Sequence, residues 1–380
     1  MPFAYVDIDL LDRNIREIAR AAGNKKIRVA SKSIRSVEVL RRIMRSDDTF
    51  QGIMCYTATE AAFLAKQGLQ DLLLGYPVWE PGGIRLLADL IGEGHGITFM
   101  ADCLEHVDHL EKIAQERGVR LPLCLDIDMS ANYPGLRFGV WRSPLRDWDH
   151  VRPVVEKIMN SKWVWLDGIM GYEAQIAGVG DLVPGAALKN NVVRYLKSRS
   201  IREVALRRQR IVQRIQELGL TLRFVNAGGT GSLSSSRQEE WVTELTAGSG
   251  FYSPTLFDHY RSFRFEPAAG FAVEVVRQPR KDIVTCLGGG YTASGAADRI
   301  KLPKPYLPAG LELFPMEGAG EVQTPLLNRG KSPIGLGDPV FFRHAKAGEL
   351  CERFDTLHVV SNGVIVGGYS TYRGMGETFL

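Results

Sequence analysis

Short apolar segments and amphipathic segments alternate along the first two-thirds of the chain. The apolar segments are rich in β-branched residues, as buried strands are, and the segments between them carry helical periodicity. The predicted strands cover residues 27–31, 72–76, 96–101, 121–128, 165–172 and 222–229, and the predicted helices cover 36–45, 58–68, 103–118 and 190–218. A strand followed by a helix, repeated about eight times over roughly 250 residues, predicts parallel β/α architecture.

The number of repeats favours a TIM-type (β/α)8 barrel over an open Rossmann sheet. The glycine signature of a dinucleotide site is absent after the first barrel strand, where the sequence reads VASKSIRS. From about residue 264 the pattern changes to short alternating segments, including a hairpin built on Asn362-Gly363. We therefore predict a barrel of residues 8–263 and a C-terminal all-β domain of residues 264–380 that includes residues 1–7.

Composition and charge exclude several classes of partner. The net charge is only +4, and the densest basic cluster, Arg202 to Arg210, is expected to lie on a solvated helix face, so a nucleic-acid partner is not indicated. No apolar run is long enough to span a bilayer, and acidic residues near the N-terminus do not suit a signal peptide. The five cysteines are scattered and form no CxxC pair, which is typical of a protein in a reducing cytoplasm.

Lys32 follows the first barrel strand directly, at the end of a barrel where active sites collect. Burial among apolar neighbours there would lower the pKa of its amine and make it available for carbonyl chemistry; alternatively, the side chain simply extends from the barrel mouth. Two glycine-rich segments, 226–232 and 247–251, follow later strands, where barrels commonly bind phosphate through backbone N–H groups. The lysine and both loops together are more specific evidence for a phosphate-binding active site than any one of these features alone.

These segments give the chain a resemblance to a known family. It resembles the fold-type III pyridoxal-phosphate enzymes, and within them the D-threonine aldolase and D-serine dehydratase family, over nearly its whole length. The resemblance rests on the paired glycine loops, the C-terminal β domain and the segments PFAYVDIDLLDRNI, VASKS, LDIDMSANYPGLRFGV and LDGIMGYEAQ. It implies that Lys32 binds pyridoxal 5'-phosphate as a Schiff base. The implied cofactor-binding residues are Lys32, Arg137, Tyr172, Asn226, Gly229, Thr230, Gly248, Ser249 and Gly250.

Two of these assignments have alternatives. The resemblance places Arg137 near the phenolic oxygen of the cofactor, where a planar cation would stabilise the negative charge. Arg137 would otherwise form a structural ion pair with Asp126 or Asp128. Tyr172 would line the cofactor pocket, or serve as a core aromatic residue with a satisfied hydroxyl.

The resemblance also implies a divalent metal ion. Relatives carry one on a His-x-Asp or His-x-Cys pair in the β domain, whereas six residues separate His344 from Cys351 in this chain. Imidazole and thiolate suit zinc, and manganese is the other expected ion. We therefore predict His344 and Cys351 as metal ligands, with Glu349 or Glu352 as substitutes. His344 would also be the second catalytic group facing the substrate.

The resemblance predicts a lyase that acts on a D-3-hydroxy amino acid, by D-threonine-type aldol cleavage or D-serine-type dehydration. A racemase is the nearest alternative and would use Tyr291 as its second base. A decarboxylase, a non-catalytic cofactor carrier and a barrel enzyme without pyridoxal phosphate are further alternatives, although a β domain argues against the carrier. A homodimer is expected because active sites of this family lie at a subunit interface.

Overall fold

A computed structural model describes residues 1–380 and contains nineteen strands and ten α-helices. The strands, in chain order, are β1 (Phe3–Asp7), β2 (Lys26–Ala30), β3 (Phe50–Cys55), β4 (Leu72–Leu74), β5 (Ile97–Ala101), β6 (Leu121–Asp126), β7 (Ala131–Tyr133), β8 (Leu136–Phe138), β9 (Val164–Gly171), β10 (Phe224–Ala227), β11 (Glu244–Ala247), β12 (Ala269–Arg280), β13 (Ile283–Leu287), β14 (Lys304–Leu307), β15 (Leu311–Leu313), β16 (Gln323–Asn328), β17 (Pro339–Arg343), β18 (Thr356–Ser361) and β19 (Val364–Ser370). The α-helices are α1 (Ile8–Ala22), α2 (Val37–Ser46), α3 (Ala58–Lys66), α4 (Pro81–Gly92), α5 (Leu104–Arg117), α6 (Trp148–Met159), α7 (Ala174–Ala177), α8 (Ala187–Glu217), α9 (Leu233–Ser236) and α10 (Ser249–Tyr252).

Eight parallel strands close into a barrel in the order β2, β3, β4, β5, β6, β9, β10 and β11, and β11 pairs with β2 to complete the ring. This confirms the predicted fold class. The strands read as continuous apolar runs because both of their faces are covered, and all five residues of β5 are buried. Leu73, Met100, Cys124, Met170 and Phe224 pack together in one buried cluster.

One charged group is buried among the barrel strands. Arg28 of β2 is fully buried, and its guanidinium donates to Glu244 at 2.7 Å and to Asp71 at 3.0 Å. Gly52 of β3 leaves room for it, because a Cβ there would lie 2.4 Å from Arg28 Nη1. The two carboxylates offset the cost of burying the cation.

The chain divides into two compact units, one of residues 19–32, 40–248 and 379–380 and the other of residues 1–18, 33–39 and 249–378. The first unit contains the barrel. These divisions differ from the predicted boundary at residue 263, which stays a proposal.

The second unit is built on a mixed sheet. Its main strand order is β15, β16, β13, β12, β1, β18 and β19, and β17 pairs with β12 and β14. The N-terminal strand β1 lies antiparallel to β12 and parallel to β18. Asn362 and Gly363 both have positive φ angles (50° and 76°) between β18 and β19, which confirms the predicted hairpin. None of the helices in the chain has the length and apolar character that crossing a membrane requires.

Candidate active site

Lys32 lies in a short 3-10 turn (Ser31–Ser33) directly after β2. Its side chain is exposed, so the prediction that apolar neighbours bury it is wrong. The reason is local: Ser31 and Ser33 take the buried positions of the turn and leave the lysine at the carboxyl end of the barrel. The amine donates a hydrogen bond to Tyr76 Oη at 3.0 Å and lies 5.6 Å from the centre of that ring.

Tyr76 comes two residues after β4 and also contacts Arg142, whose guanidinium lies 5.8 Å from the centre of its ring. Burial alone would raise the pKa of the Tyr76 phenol, but the cations of Lys32 and Arg142 outweigh burial and lower it. Sequence reasoning missed both Tyr76 and Arg142. The available signal was the position of Tyr76, because residues just beyond barrel strands face the active site.

A buried carboxyl group lies at the end of β6, in the same part of the barrel. Burial, followed by the negative charges of Asp102 and Asp128, raises the pKa of Asp126 to about 7, and Arg142 opposes this shift. Near neutral pH this carboxyl group is therefore partly protonated and can donate or accept a hydrogen bond. Sequence reasoning considered Asp126 only as an ion-pair partner for Arg137.

Arg137 lies on the small hairpin formed by β7 and β8, where its side chain is exposed. Its guanidinium is 6.0 Å from the centre of the Trp141 ring. Asp128 pairs with Arg146 at 3.5 Å rather than with Arg137, and the phenol of Tyr76 accepts its hydrogen bond from Lys32. The arginine that the structure brings to Tyr76 is Arg142, five positions further along the chain. A contact between Arg137 and the cofactor stays a prediction.

Tyr172 follows β9 and is half-buried against the glycine loop after β10. A Cβ on Gly229 would lie 3.0 Å from both Tyr172 Cε2 and Ala177 Cβ, so only glycine fits without movement. Burial, together with the negative charge of Glu173, raises the pKa of the Tyr172 phenol to about 12, and the group stays protonated. The ring and the glycine loop therefore form one packed surface, and the assignment of Tyr172 to a cofactor pocket stays a prediction.

Glu173 fixes the shape of this glycine loop. Its buried carboxylate accepts hydrogen bonds from the Gly228 N–H (3.3 Å), the Ser232 hydroxyl (2.8 Å) and the Ser236 hydroxyl. Arg208 of α8 neutralises it at 3.0 Å and is itself only 1% exposed. The prediction that the Arg202–Arg210 cluster lies on a solvated helix face is therefore wrong for Arg208. This side chain is buried because the Glu173 carboxylate is its partner.

The two predicted phosphate loops are connected. The Gly248 N–H donates to Thr230 Oγ1 at 3.4 Å, which ties the loop after β11 to the loop after β10. Ser249 and Gly250 begin α10, and the Ser249 hydroxyl lies 3.3 Å from that of Ser33, the residue after Lys32.

Asn226 lies lower in the barrel than these loops. Its amide nitrogen donates to Glu244 Oε1 and to Thr246 Oγ1, both at 2.9 Å. These contacts support the strand beneath the first loop, and direct binding of Asn226 to the cofactor stays a prediction.

The predicted metal ligands His344 and Cys351 are both buried. Burial, followed by the cation of Arg343, lowers the pKa of His344 to about 3, so the ring is neutral. Neither ring nitrogen makes a hydrogen bond of normal geometry, although the Ala269 backbone is beside the ring. A neutral imidazole suits a metal ion.

Cys351 fits a metal less well than His344. Its thiol donates to the carbonyl oxygen of Ile34 at 3.4 Å, and burial raises its pKa to about 12, whereas a metal requires the thiolate. A different set of side chains, Asp102, Cys103 and His106 at the start of α5, has its potential ligand atoms within 4.8 Å of one another.

A closed barrel with a lysine after its first strand and glycine loops after its last two, followed by a β-rich unit, is the arrangement of the fold-type III pyridoxal-phosphate enzymes. The model of the family "Alanine racemase, N-terminal domain" matches residues 6–254. The chain belongs to that family.

Two curated relatives are 3-hydroxy-D-aspartate aldolases of Paracoccus denitrificans. One, from strain Pd 1222, is 26% identical over 251 residues, and the other is 28% identical over 255 residues. Each match covers 65% of this chain and 59% of the relative, so the chain spans about three fifths of the length of these relatives.

Solved structures share the fold at low sequence identity. D-threonine aldolase from Filomicrobium marinum has a TM-score of 0.83 at 16% identity, with 98% of this chain and 95% of that chain covered. D-threo-3-hydroxyaspartate dehydratase from Delftia sp. HT23 has a TM-score of 0.73 at 16% identity, with coverage of 98% and 97%. Alanine racemase from Clostridium difficile 630, in complex with cycloserine, has a TM-score of 0.66 at 16% identity, with coverage of 97% and 98%.

Proposed function

We propose that this protein is a pyridoxal-phosphate-dependent lyase that cleaves or dehydrates a D-3-hydroxy amino acid, with Lys32 as the residue that holds the cofactor. The observation that carries the proposal is the amine of Lys32, exposed at the carboxyl end of the barrel and hydrogen-bonded to a phenol. The curated relatives are named 3-hydroxy-D-aspartate aldolases, after a D-3-hydroxy amino acid, and this supports the substrate class.

The residues present fit the cofactor. The amine of Lys32 is accessible to an aldehyde, and glycine at position 229 lets this loop pack against Tyr172 and Ala177 where a Cβ would collide with them. Thr230 and Gly248 join the two loops, whose N–H groups and hydroxyls suit a phosphate. Pyridoxal phosphate supplies the electron sink that such bond cleavage needs, and the protein contributes binding, orientation and proton transfer.

The placement of Tyr291 does not favour the racemase alternative. Its ring is 9% exposed, and its buried hydroxyl has no hydrogen-bond partner. Burial raises the pKa of this phenol above its usual range, despite the Arg353 guanidinium 4.4 Å from the centre of the ring. A second base must reach the substrate and give up its proton readily, and this phenol is poorly suited to both requirements.

The substrate class can be tested with the protein reconstituted with pyridoxal phosphate. We expect aldehyde or keto acid from D-threonine, D-serine or D-3-hydroxyaspartate at a rate at least roughly tenfold above that for the L-enantiomers, since about 1.4 kcal/mol of differential binding gives that ratio. D-Alanine serves as the racemase control. Racemisation of D-alanine faster than any lyase reaction would overturn the proposal.

The zinc or manganese ion at His344 and Cys351 is a separate proposal, and no step above depends on it. If the pair binds the ion, the Cys351→Ala variant should lose bound metal while Cys286→Ala, a matched buried cysteine of the β-rich unit, retains it. Elemental analysis of both variants after purification without chelator provides the measurement. Equal metal content in the two variants contradicts the assignment.

Cytoplasmic location and a homodimer, both expected from the sequence, also stay proposals. Gel filtration with light scattering measures the oligomeric state.

A further inference from the structure

Tyr76 connects two cations that come from distant parts of the chain. Lys32 follows β2, Tyr76 follows β4, and Arg142 lies in the segment after β8. The phenol oxygen accepts a hydrogen bond from Lys32 Nζ at 3.0 Å, and Arg142 lies 5.8 Å from the centre of the ring. All three belong to the unit that contains the barrel, and each follows a barrel strand or a segment at the carboxyl end of the barrel.

The charges around the two phenols of this region act in opposite directions. Tyr76 faces Lys32 and Arg142, which lower its pKa against the effect of burial. Tyr172, another titratable group that interacts with Tyr76, has a pKa raised to about 12 by burial, followed by the charges of Glu173 and Tyr76. Of these two phenols, Tyr76 is therefore the more readily ionised.

The amine of Lys32 needs such a partner. An ammonium group has no lone pair, so it must lose a proton before its nitrogen can attack a carbonyl carbon. A group already in hydrogen-bond contact can accept this proton without waiting for solvent, and the phenol oxygen at 3.0 Å is such a group.

We propose that Tyr76 is the base that deprotonates Lys32 when the cofactor is loaded, and that Arg142 stabilises the phenolate form of Tyr76. One N–H bond of the ammonium breaks and one O–H bond of the phenol forms, which leaves a neutral amine and a neutral tyrosine. No other reactant is needed. The inference rests on the proposed function, because it assigns to Lys32 the role of cofactor-binding amine.

The test measures the rate at which cofactor-free protein takes up pyridoxal phosphate, followed by the visible absorbance of the lysine-bound cofactor. At neutral pH we expect Tyr76→Phe to load about 100-fold more slowly than the wild type, within the usual range for a positioned base. Raising the pH should restore much of the rate, because the amine then loses its proton to solvent. Tyr195→Phe, an exposed tyrosine on α8, is the matched control and should load at the wild-type rate.

The outcomes separate the two proposals. If the wild type gains no cofactor at Lys32, the proposed function fails. If the wild type loads and Tyr76→Phe loads equally fast at every pH, only the role of Tyr76 is overturned. A second measurement does not depend on loading: ultraviolet difference titration of cofactor-free protein should show one phenol that ionises at lower pH than the others and is missing in Tyr76→Phe. Absence of that early phenol from the wild type also overturns the inference.

Discussion

Replacing Lys32 with alanine is expected to abolish covalent attachment of pyridoxal phosphate and to lower kcat/KM by at least about a thousandfold, as removal of a covalent catalytic group does in other enzymes. The reason is chemical: the amine at the end of β2 is the group that the structure offers to an aldehyde, with Tyr76 in hydrogen-bond contact. Mass spectrometry of the borohydride-reduced protein measures the attachment, and the lyase assay measures kcat/KM.

Lys26→Ala is the control for this prediction. Lys26 is an exposed lysine at the start of the same strand, and its amine donates to the Asp48 carbonyl at 2.9 Å, away from the carboxyl end of the barrel. The variant should retain cofactor and activity. Single-site attachment of the cofactor to Lys32→Ala protein would remove Lys32 from the central role.

The barrel could be predicted from sequence because its signals are local. A strand covered on both faces has to be apolar along its length, and a residue that follows such a strand has to lie at the barrel mouth. Those two facts predicted the strands near β2 and β10, and with them the positions of Lys32 and of the first glycine loop.

The contacts around Lys32 could not be predicted in the same way. Tyr76 is 44 residues from Lys32 in sequence, and their contact depends on how the segment after β4 leaves the barrel. Residues 131–138 form a separate hairpin on which Arg137 is exposed, while Arg142 further along the chain contacts Tyr76. Nothing in the alternation of apolar and polar residues specifies that path. The exposure of Lys32 was likewise misjudged, since apolar neighbours in sequence do not determine which side chain of a turn faces solvent.

The arginine cluster of α8 was misjudged for a related reason. Four arginines in nine residues suggest a solvated helix face, yet the helix turns Arg208 towards the barrel and leaves Glu203 at the surface. Charge density in a sequence does not reveal a buried partner, and the partner here, Glu173, lies after β9. The Arg208–Glu173 ion pair connects α8 to the predicted phosphate loop.

Glu173→Ala is expected to lower the free energy of unfolding by about 3–5 kcal/mol, because removal of one partner leaves a buried charge without full compensation. Arg208 would retain Glu239 and the Gly171 carbonyl, at 2.9 Å, as partners. The Gly228 N–H and the hydroxyls of Ser232 and Ser236 would lose their acceptor. Urea unfolding of the cofactor-free protein measures the change, and a loosened glycine loop should also weaken pyridoxal-phosphate binding.

Glu203→Ala provides the matched comparison, because Glu203 pairs with Arg207 on the same helix at 2.8 Å but is 41% exposed in its side chain. Water replaces the lost partner there, so we expect the free energy of unfolding to fall by less than about 1 kcal/mol. A similar small loss for Glu173→Ala would show that the Arg208–Glu173 pair does not hold the loop. A large loss of stability and of cofactor affinity for Glu173→Ala, with neither for Glu203→Ala, would instead show that the buried carboxylate of Glu173 holds the predicted phosphate loop in place.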